Sequence, residues 1–278
     1  MMGGKAINPW PPFDWDEAWY LSRYPDIAAA VAQGRLTDPF YHFLQTGFRE
    51  GRFASAAAEQ RAQQSPDAPA AGPRHEVRLG VFSVPLDWPV KGEIGKTFTL
   101  RLANGFFSKY MSGAVVLDIG YKGGHADAVP IFPHAVGVDL DYPGYDGVRL
   151  PFQDESVDAV FASHVLEHVP DATAVLRDWF RVIKIGGFII CVVPHQFLYE
   201  RKVDLPSMWN TEHLRFYTPA SLLREFEQSF RPNTYRIRHL VDNDLCYDYN
   251  LSSDRHPSGC YEIEVVVEKI EPPAWNLC

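Results

Sequence analysis

The chain has 278 residues, enough for one sizeable core and a smaller accessory unit. With 46% hydrophobic and 22% charged residues it has a globular composition, and a net charge of -9 disfavours a large nucleic-acid surface, which needs a basic face. The four cysteines (Cys191, Cys246, Cys260 and Cys278) form no Cys-x-x-Cys pair, so neither a zinc ribbon nor a dense disulfide frame is indicated.

In chain order, Phe13 to Phe53 is rich in aromatics and helix punctuation. Asp14 with Glu17 three residues on reads as a capping box, and Pro25 stops that helix and, with Asp26, opens the next. Asp38-Pro39 reads as an N-cap followed by proline at the first helical position, with Gly47 closing the turn. Phe40, Leu44 and Phe48 share one face at four-residue spacing, and that face has to be buried. From Ala54 to Arg74 the chain is mostly Ala, Gln, Ser and Pro, the composition of a flexible linker. The expected organisation is therefore a small helical module over 1–53, a linker over 54–74 and a larger domain over 75–278.

Beyond His75 strands and helices alternate as a parallel α/β sheet requires. Val77, Leu79 and Val81 alternate like a strand, and Phe98, Leu102, Phe106 and Tyr110 mark a helix. Two apolar strands end at Asp118 and Asp139, and a third covers Asp158–Ala162. A helix from about Ala172 to Ile183 precedes Phe188–Val193, the most apolar strand and hence a central one. Thr218-Pro219 opens a further helix, and Tyr235–Leu240 and Tyr261–Glu268 alternate as edge or antiparallel strands do. The start, Met1 to Ile7, lacks the apolar run of a signal peptide, and Phe188 to Pro194 is too short to cross a bilayer. A cytoplasmic protein with no membrane span is expected.

Gly120-Tyr-Lys-Gly-Gly124 directly after a strand, then a helix and a second strand ending in Asp139, is the arrangement that seats an adenosine-bearing cofactor. Glycines let backbone N–H groups approach the ligand, and a carboxylate about twenty residues on accepts hydrogen bonds from ribose. Nicotinamide and flavin fingerprints read Gly-x-Gly-x-x-Gly. Here an acidic residue, Asp118, precedes the Gly120/Gly124 pair, and this order resembles the first motif of the class I S-adenosylmethionine-dependent methyltransferases, with Lys122 in place of the middle glycine.

Further blocks extend the likeness. Leu150-Pro-Phe-x-Asp154-x-Ser156-x-Asp158, Ser163-His-Val-Leu-Glu-His168, Trp179-Phe-Arg-Val-x-Lys184-x-Gly186-Gly187 and His213-Leu-Arg-Phe-Tyr-Thr218-Pro resemble, in order, the type-11 methyltransferase family. The resemblance implies a seven-stranded, Rossmann-like sheet with S-adenosylmethionine held by Asp118, Gly120, Tyr121, Gly124, Asp139 and Leu140. Leu150, Pro151 and Phe152 would lie beside the adenine, and His164 at the methionine end. The family's helix and strand between the ribose acid and Leu-Pro-Phe have no room in Leu140–Arg149, so this region is shortened, and the adenine is expected either to be more exposed or to be covered by Tyr142 or Tyr145. Trp19-Tyr-Leu-x-x-Tyr24-Pro-Asp-Ile27 with His42-Phe-x-x-x-Gly47-x-x-Glu50-Gly-Arg52 is similar to a helical module carried by bacterial glycosyltransferases and other surface-polysaccharide enzymes.

His164-x-x-Glu167-His168 also spells a zinc-peptidase pattern, but it straddles a strand end and no third ligand is evident, so no metal is assigned. The acceptor needs positioning and loss of a proton, chemistry suited to histidine. His195, after the central strand, and His213, in a segment that in the family folds over the site, are the candidate catalytic residues. The reading is O-methylation of a small-molecule or glycan acceptor, a sugar of a bacterial surface glycan or its precursor, with the module docking to a glycosyltransferase complex. Its alternatives are a catalytically silent cofactor-binding scaffold and a nicotinamide-dependent oxidoreductase.

Overall fold

The structure, a computed structural model, describes residues 14–64 and 73–275. The first thirteen residues of the expected module, residues 65–72 of the expected linker and Cys278 lie outside the described residues. The chain divides into two compact units, one running to Trp88 and including Thr97–Ser108, the other comprising Pro89–Lys96 and the chain from Lys109 onward.

In the first unit α1 (Glu17–Arg23) is capped by Asp16, whose carboxylate accepts the Trp19 N–H at 2.9 Å, two residues later than the capping box placed it. α2 (Pro25–Ala32) begins on its proline, and α3 (Pro39–His42) is capped by Asp38, which accepts the Tyr41 N–H at 3.0 Å. A wide helical turn over Phe43–Gly47 follows. Leu44 and Phe48 are buried as their spacing requires, and Trp15 packs on Phe40 and Tyr20 with ring centroids 5.1 and 4.8 Å apart. Gly47 has to be glycine because a Cβ there would collide with the Tyr20 hydroxyl.

The expected linker is corrected. Ala56–Gln64 forms α4, started by Ser55 Oγ, which accepts the Ala58 N–H at 3.1 Å. Ala, Gln, Glu and Arg offer no large apolar side chain but are strong helix formers, so low hydrophobicity there signals a surface helix. The hairpin β1 (Glu76–Leu79) and β2 (Phe82–Pro85), with α5 (Phe98–Ala103), belongs to this same unit, so the expected boundaries at 53 and 74 do not coincide with the division between the units. Val81 is exposed because the strand turns at Gly80. Gly105, at φ 77°, breaks the expected Phe98–Tyr110 helix, and α6 (Phe106–Tyr110) starts afresh beyond it.

The second unit contains β3 (Val116–Ile119), β4 (Val136–Val138), β5 (Val157–Ser163), α7 (Ala172–Val182), β6 (Ile183–Pro194), α8 (Pro219–Ser229), β7 (Tyr235–Asn243) and β8 (Glu262–Lys269). The strand order is β4-β3-β5-β6-β8-β7. The first four strands run parallel, β8 runs antiparallel to both β6 and β7, and β6 is central as its apolar run demands. α7 buries Val175, Leu176, Trp179 and Val182, a helical stripe facing the sheet. A capping box between Thr218 and Ser221 starts α8.

Two expectations fail beside β4. The sheet has six strands rather than seven among the described residues, because Leu140–Arg149 spends its hydrogen bonds on successive turns. Tyr142 N–H bonds to Asp139 O at 2.7 Å, Tyr145 N–H to Tyr142 O at 3.0 Å, and Asp146 accepts from the Val148 and Arg149 amides. The helix expected between Gly120 and β4 is likewise replaced by turns over residues 120–135. Gly120, Gly123 and Gly124 all have positive φ, and Pro130 and Pro133 remove amide donors that a helix needs.

Candidate active site

The carboxyl ends of the parallel strands carry two neighbouring groups of residues. At β3 and β4, Gly120 turns the chain at φ 67°, and a Cβ there would approach Val165 Cγ2 to 2.6 Å. Asp118 is buried and accepts the Ile131 N–H at 2.6 Å. Burial pushes its carboxyl up to about 7, against the pull of that N–H and with help from the Asp139 charge. Asp139 accepts the Leu140 N–H at 2.8 Å and the Lys122 N–H at 3.3 Å, so the carboxylate expected to meet the ribose is tied to the glycine loop. The Lys122 ammonium pairs with Asp141.

Tyr121 lays its ring over Gly137 of β4, where a Cβ would stand 2.7 Å from the ring. Gly123 and Gly124 are exposed, with nothing within 4 Å of an added Cβ, which leaves room for a ligand to approach the backbone. Asp118, Gly120, Tyr121, Gly124 and Asp139 thus form one corner of the sheet, and its residues fit the adenosine end of a cofactor. Leu140 is 74% exposed. Of the residues expected beside the adenine, Leu150 is in the core, its N–H bonded to Asp178 at 2.6 Å and its carbonyl to Arg181 at 3.0 Å. Pro151 is exposed, and Phe152 stacks on Tyr142 at 5.9 Å.

The second group stands at the ends of β5 and β6. His164, at φ 57°, follows β5, and Glu167 and His168 sit on the tight turn closed by His168 N–H to Val165 O at 3.0 Å. Leu214 N–H bonds to Glu167 O at 2.9 Å and brings the His213 segment onto that turn. Arg215 fixes it there, donating to the carbonyls of Leu166 (2.7 Å), Val169 (2.6 Å) and Pro170 (2.9 Å). The Glu167 carboxylate, 1% exposed, then faces three imidazoles: His164 Nδ1 at 3.6 Å, His168 Nε2 at 3.8 Å and His213 Nε2 at 3.9 Å. Neither carboxylate oxygen has a hydrogen-bond partner among the described residues.

The far nitrogen of each ring is bonded elsewhere. His213 Nδ1 donates to Glu200 Oε1 at 2.6 Å, His168 Nδ1 to Glu212 O at 3.3 Å, and His164 Nε2 lies 3.1 Å from Glu262 Oε1. Burial works to lower the His164 pKa, but the bond to Glu262 and the Glu167 charge outweigh it and raise the value. His195 is a separate case. Its Nδ1 accepts the Phe197 N–H at 3.0 Å, and Nε2 faces Asp242 at 3.5 Å. Burial lowers its pKa against the Asp242 charge, so the ring is neutral at pH 7, with its lone pair already engaged. His213 and His164 therefore belong to one cluster, and His195 does not join their contacts with Glu167.

Glu200, Glu262 and Arg215 escaped the sequence reading. The Glu-Ile-Glu alternation of β8 looked half-solvated, but β8 lies between β6 and β7, and Glu262 is 1% exposed. Nothing in the local sequence signals that Glu200 would reach His213.

The sheet order, the glycine corner and the matched blocks resemble those of a class I S-adenosylmethionine-dependent methyltransferase domain. Residues 108–191 match the methyltransferase domain family. A demethylmenaquinone methyltransferase of Alkalihalophilus pseudofirmus is 30% identical over 105 residues, 34% of this chain and 43% of that protein. One from Roseiflexus castenholzii is 35% identical over 60 residues, 22% of this chain and 25% of its own length. A ubiquinone/menaquinone biosynthesis C-methyltransferase of Xylella fastidiosa is 48% identical over 48 residues, 17% of this chain and 19% of its own length. The chain thus spans less than half the length of the curated relatives it matches. Among solved structures, a methyltransferase from Aquifex aeolicus aligns with TM-score 0.37 at 13% identity, covering 65% of this chain and 100% of that one. One from Methanosarcina mazei aligns with TM-score 0.39 at 13% identity, covering 59% and 96%. S-adenosylmethionine is the cofactor of this class. Among the described residues, no helix is long and apolar enough to cross a membrane.

Proposed function

We propose that the chain transfers the methyl group of S-adenosylmethionine to a hydroxyl of a small or glycan acceptor, a sugar of a bacterial surface glycan or its precursor. The observation that carries this reading is the buried Glu167 carboxylate ringed by imidazole nitrogens at the carboxyl ends of β5 and β6, where open α/β sheets bind ligands. In such a transfer the carbon–sulfur bond breaks, a carbon–oxygen bond forms in line, and the hydroxyl loses its proton. A cluster of imidazoles and carboxylates suits that proton loss.

His213 is the residue we assign to the acceptor, oriented by Glu200 so that its Nε2 points into the cluster. His195, with its Nδ1 lone pair taken by the Phe197 N–H, serves to shape the end of β6. The glycine loop and Asp139 hold the adenosine part, and the N-terminal unit, through its likeness to modules of polysaccharide enzymes, docks the chain to a glycosyltransferase complex.

A second reading, a silent cofactor-binding scaffold, is favoured by the helix-free loop and by Asp139 being satisfied by its own chain. Calorimetry of the full chain with S-adenosylmethionine, followed by transfer of a radiolabelled methyl group to sugar acceptors, separates the two. Saturable binding and labelled sugar support the transferase; no heat at millimolar cofactor supports the scaffold.

A further inference from the structure

We propose that Glu167, His168 and His213 form a binding site for a divalent transition-metal ion of the zinc class. One ligand atom from each lies within 4.8 Å of the other two. The pairwise distances from Glu167 Oε1, 3.8 Å to His168 Nε2 and 3.9 Å to His213 Nε2, are too long for hydrogen bonds. Two ligand atoms each about 2.0–2.1 Å from a tetrahedral ion stand roughly 3.3 Å apart, so closing the set around a metal takes a contraction of about 0.5 Å in the two Glu–His distances and of at most about 1.5 Å between the histidines, which lie within 4.8 Å.

Three independent features point the same way. Glu167 is 1% exposed, and among the described residues both of its oxygens lack a hydrogen-bond donor. A buried carboxylate in that condition is costly unless something positive meets it. Both histidines carry the outer bond typical of metal ligands: His213 Nδ1 to the Glu200 carboxylate at 2.6 Å and His168 Nδ1 to the Glu212 carbonyl at 3.3 Å. These bonds place the proton on Nδ1 and turn the Nε2 lone pair inward. Glu200 is itself fixed, since its Oε2 accepts the Ser207 hydroxyl at 2.5 Å. Finally, two imidazoles with one carboxylate is a donor set that leaves a zinc-class ion an open position. His164 Nδ1, 3.6 Å from Glu167 Oε1, lines the same space.

The set differs from the one the His164-x-x-Glu167-His168 spacing suggests: Glu167 and His168, rather than His164 and His168, are joined from across the chain by His213, whose segment is held in place by Arg215. The metal site stands on this geometry alone. Its consequence for turnover rests on the methyl-transfer reading: with its Nε2 lone pair given to the ion, His213 would act on the acceptor through the metal rather than as a free base, and the ion would lower the pKa of an acceptor hydroxyl bound at its open position.

The test is cobalt(II) titration of the metal-stripped full chain, followed by visible absorption and calorimetry, with zinc competition and elemental analysis of the untreated protein. The expected result is one ion per chain, with the visible bands of a four- or five-coordinate ion, displaced by zinc. His168→Ala and His213→Ala should abolish the bands. Glu200→Gln, which touches no metal, should weaken affinity about 10–100-fold while circular dichroism stays native. Cys246→Ser, removing an exposed thiol, should leave the bands intact. Absence of saturable cobalt binding by the wild-type chain at micromolar concentration overturns the proposal, as does unchanged binding in folded His168→Ala and His213→Ala proteins. Cofactor calorimetry on the same samples reports separately on the methyltransferase reading.

Discussion

Asp118 places an ionisable group in the floor of the glycine corner, and its replacement by asparagine has a calculable pH signature. Burial, opposed by the Ile131 N–H and reinforced by Asp139, lifts the carboxyl from 3.8 to about 7 in the folded chain. Between these values the folded state holds a proton that the unfolded state has lost. Wild-type stability from this group is therefore greatest below about pH 4 and falls as pH rises towards 7. When fully developed the loss is on the order of 4 kcal/mol. In Asp118→Asn the amide oxygen can still accept the Ile131 N–H, while the amide hydrogens impose a cost of about 1–3 kcal/mol that does not vary with pH. The stability difference between Asp118→Asn and wild type should thus shift in favour of the variant by about 2.5–3 kcal/mol between pH 5 and pH 8. In a unit of this size that is about 5–10 °C in Tm. Urea unfolding of both proteins at the two pH values measures it, because all other titrating groups are common and cancel. A difference that stays constant within about 0.5 kcal/mol would refute the buried, proton-holding carboxyl.

Three further outcomes follow from the site. Arg215→Ala removes three bonds from a guanidinium to the Leu166, Val169 and Pro170 carbonyls and should cost about 2–4 kcal/mol, read as a fall in urea midpoint; an unchanged midpoint would show that the turn holds itself. Asp139→Ala should weaken S-adenosylmethionine binding by about 1.5–3 kcal/mol in calorimetry, and an unaltered dissociation constant would move the ribose elsewhere. His213→Ala should lower methyl-transfer turnover by roughly 10²–10⁴-fold with cofactor affinity retained; near wild-type turnover would make it a packing histidine.

Taken alone, the sequence determines those features that rest on short-range chemistry. Apolar runs placed β3, β5 and β6 and made β6 central, because a strand buried on both faces has to be apolar throughout. Thr218-Pro219 and Asp38-Pro39 announced helix starts, because capping is a contact between residues three apart. The turn-rich Leu140–Arg149 segment foretold a shortened sheet, although the count of seven strands had to yield to six. The helix after Gly120 failed for a local reason too, since three glycines and two prolines outweighed a pattern borrowed from the family.

Tertiary structure decided what depends on distant partners. Whether the Ala56–Gln64 composition is linker or surface helix, and that Asp139 would bond to Lys122, are settled by neighbours brought close only in the folded chain. The His/Glu centre is the sharpest case. Its spacing from His164 to His168 is visible in the sequence, but Glu200, Glu262 and His213 reach it from three other segments. The energetic drive to gather them is the cost of leaving a buried carboxylate or imidazole unpaired, a term that exists only once the fold has excluded water.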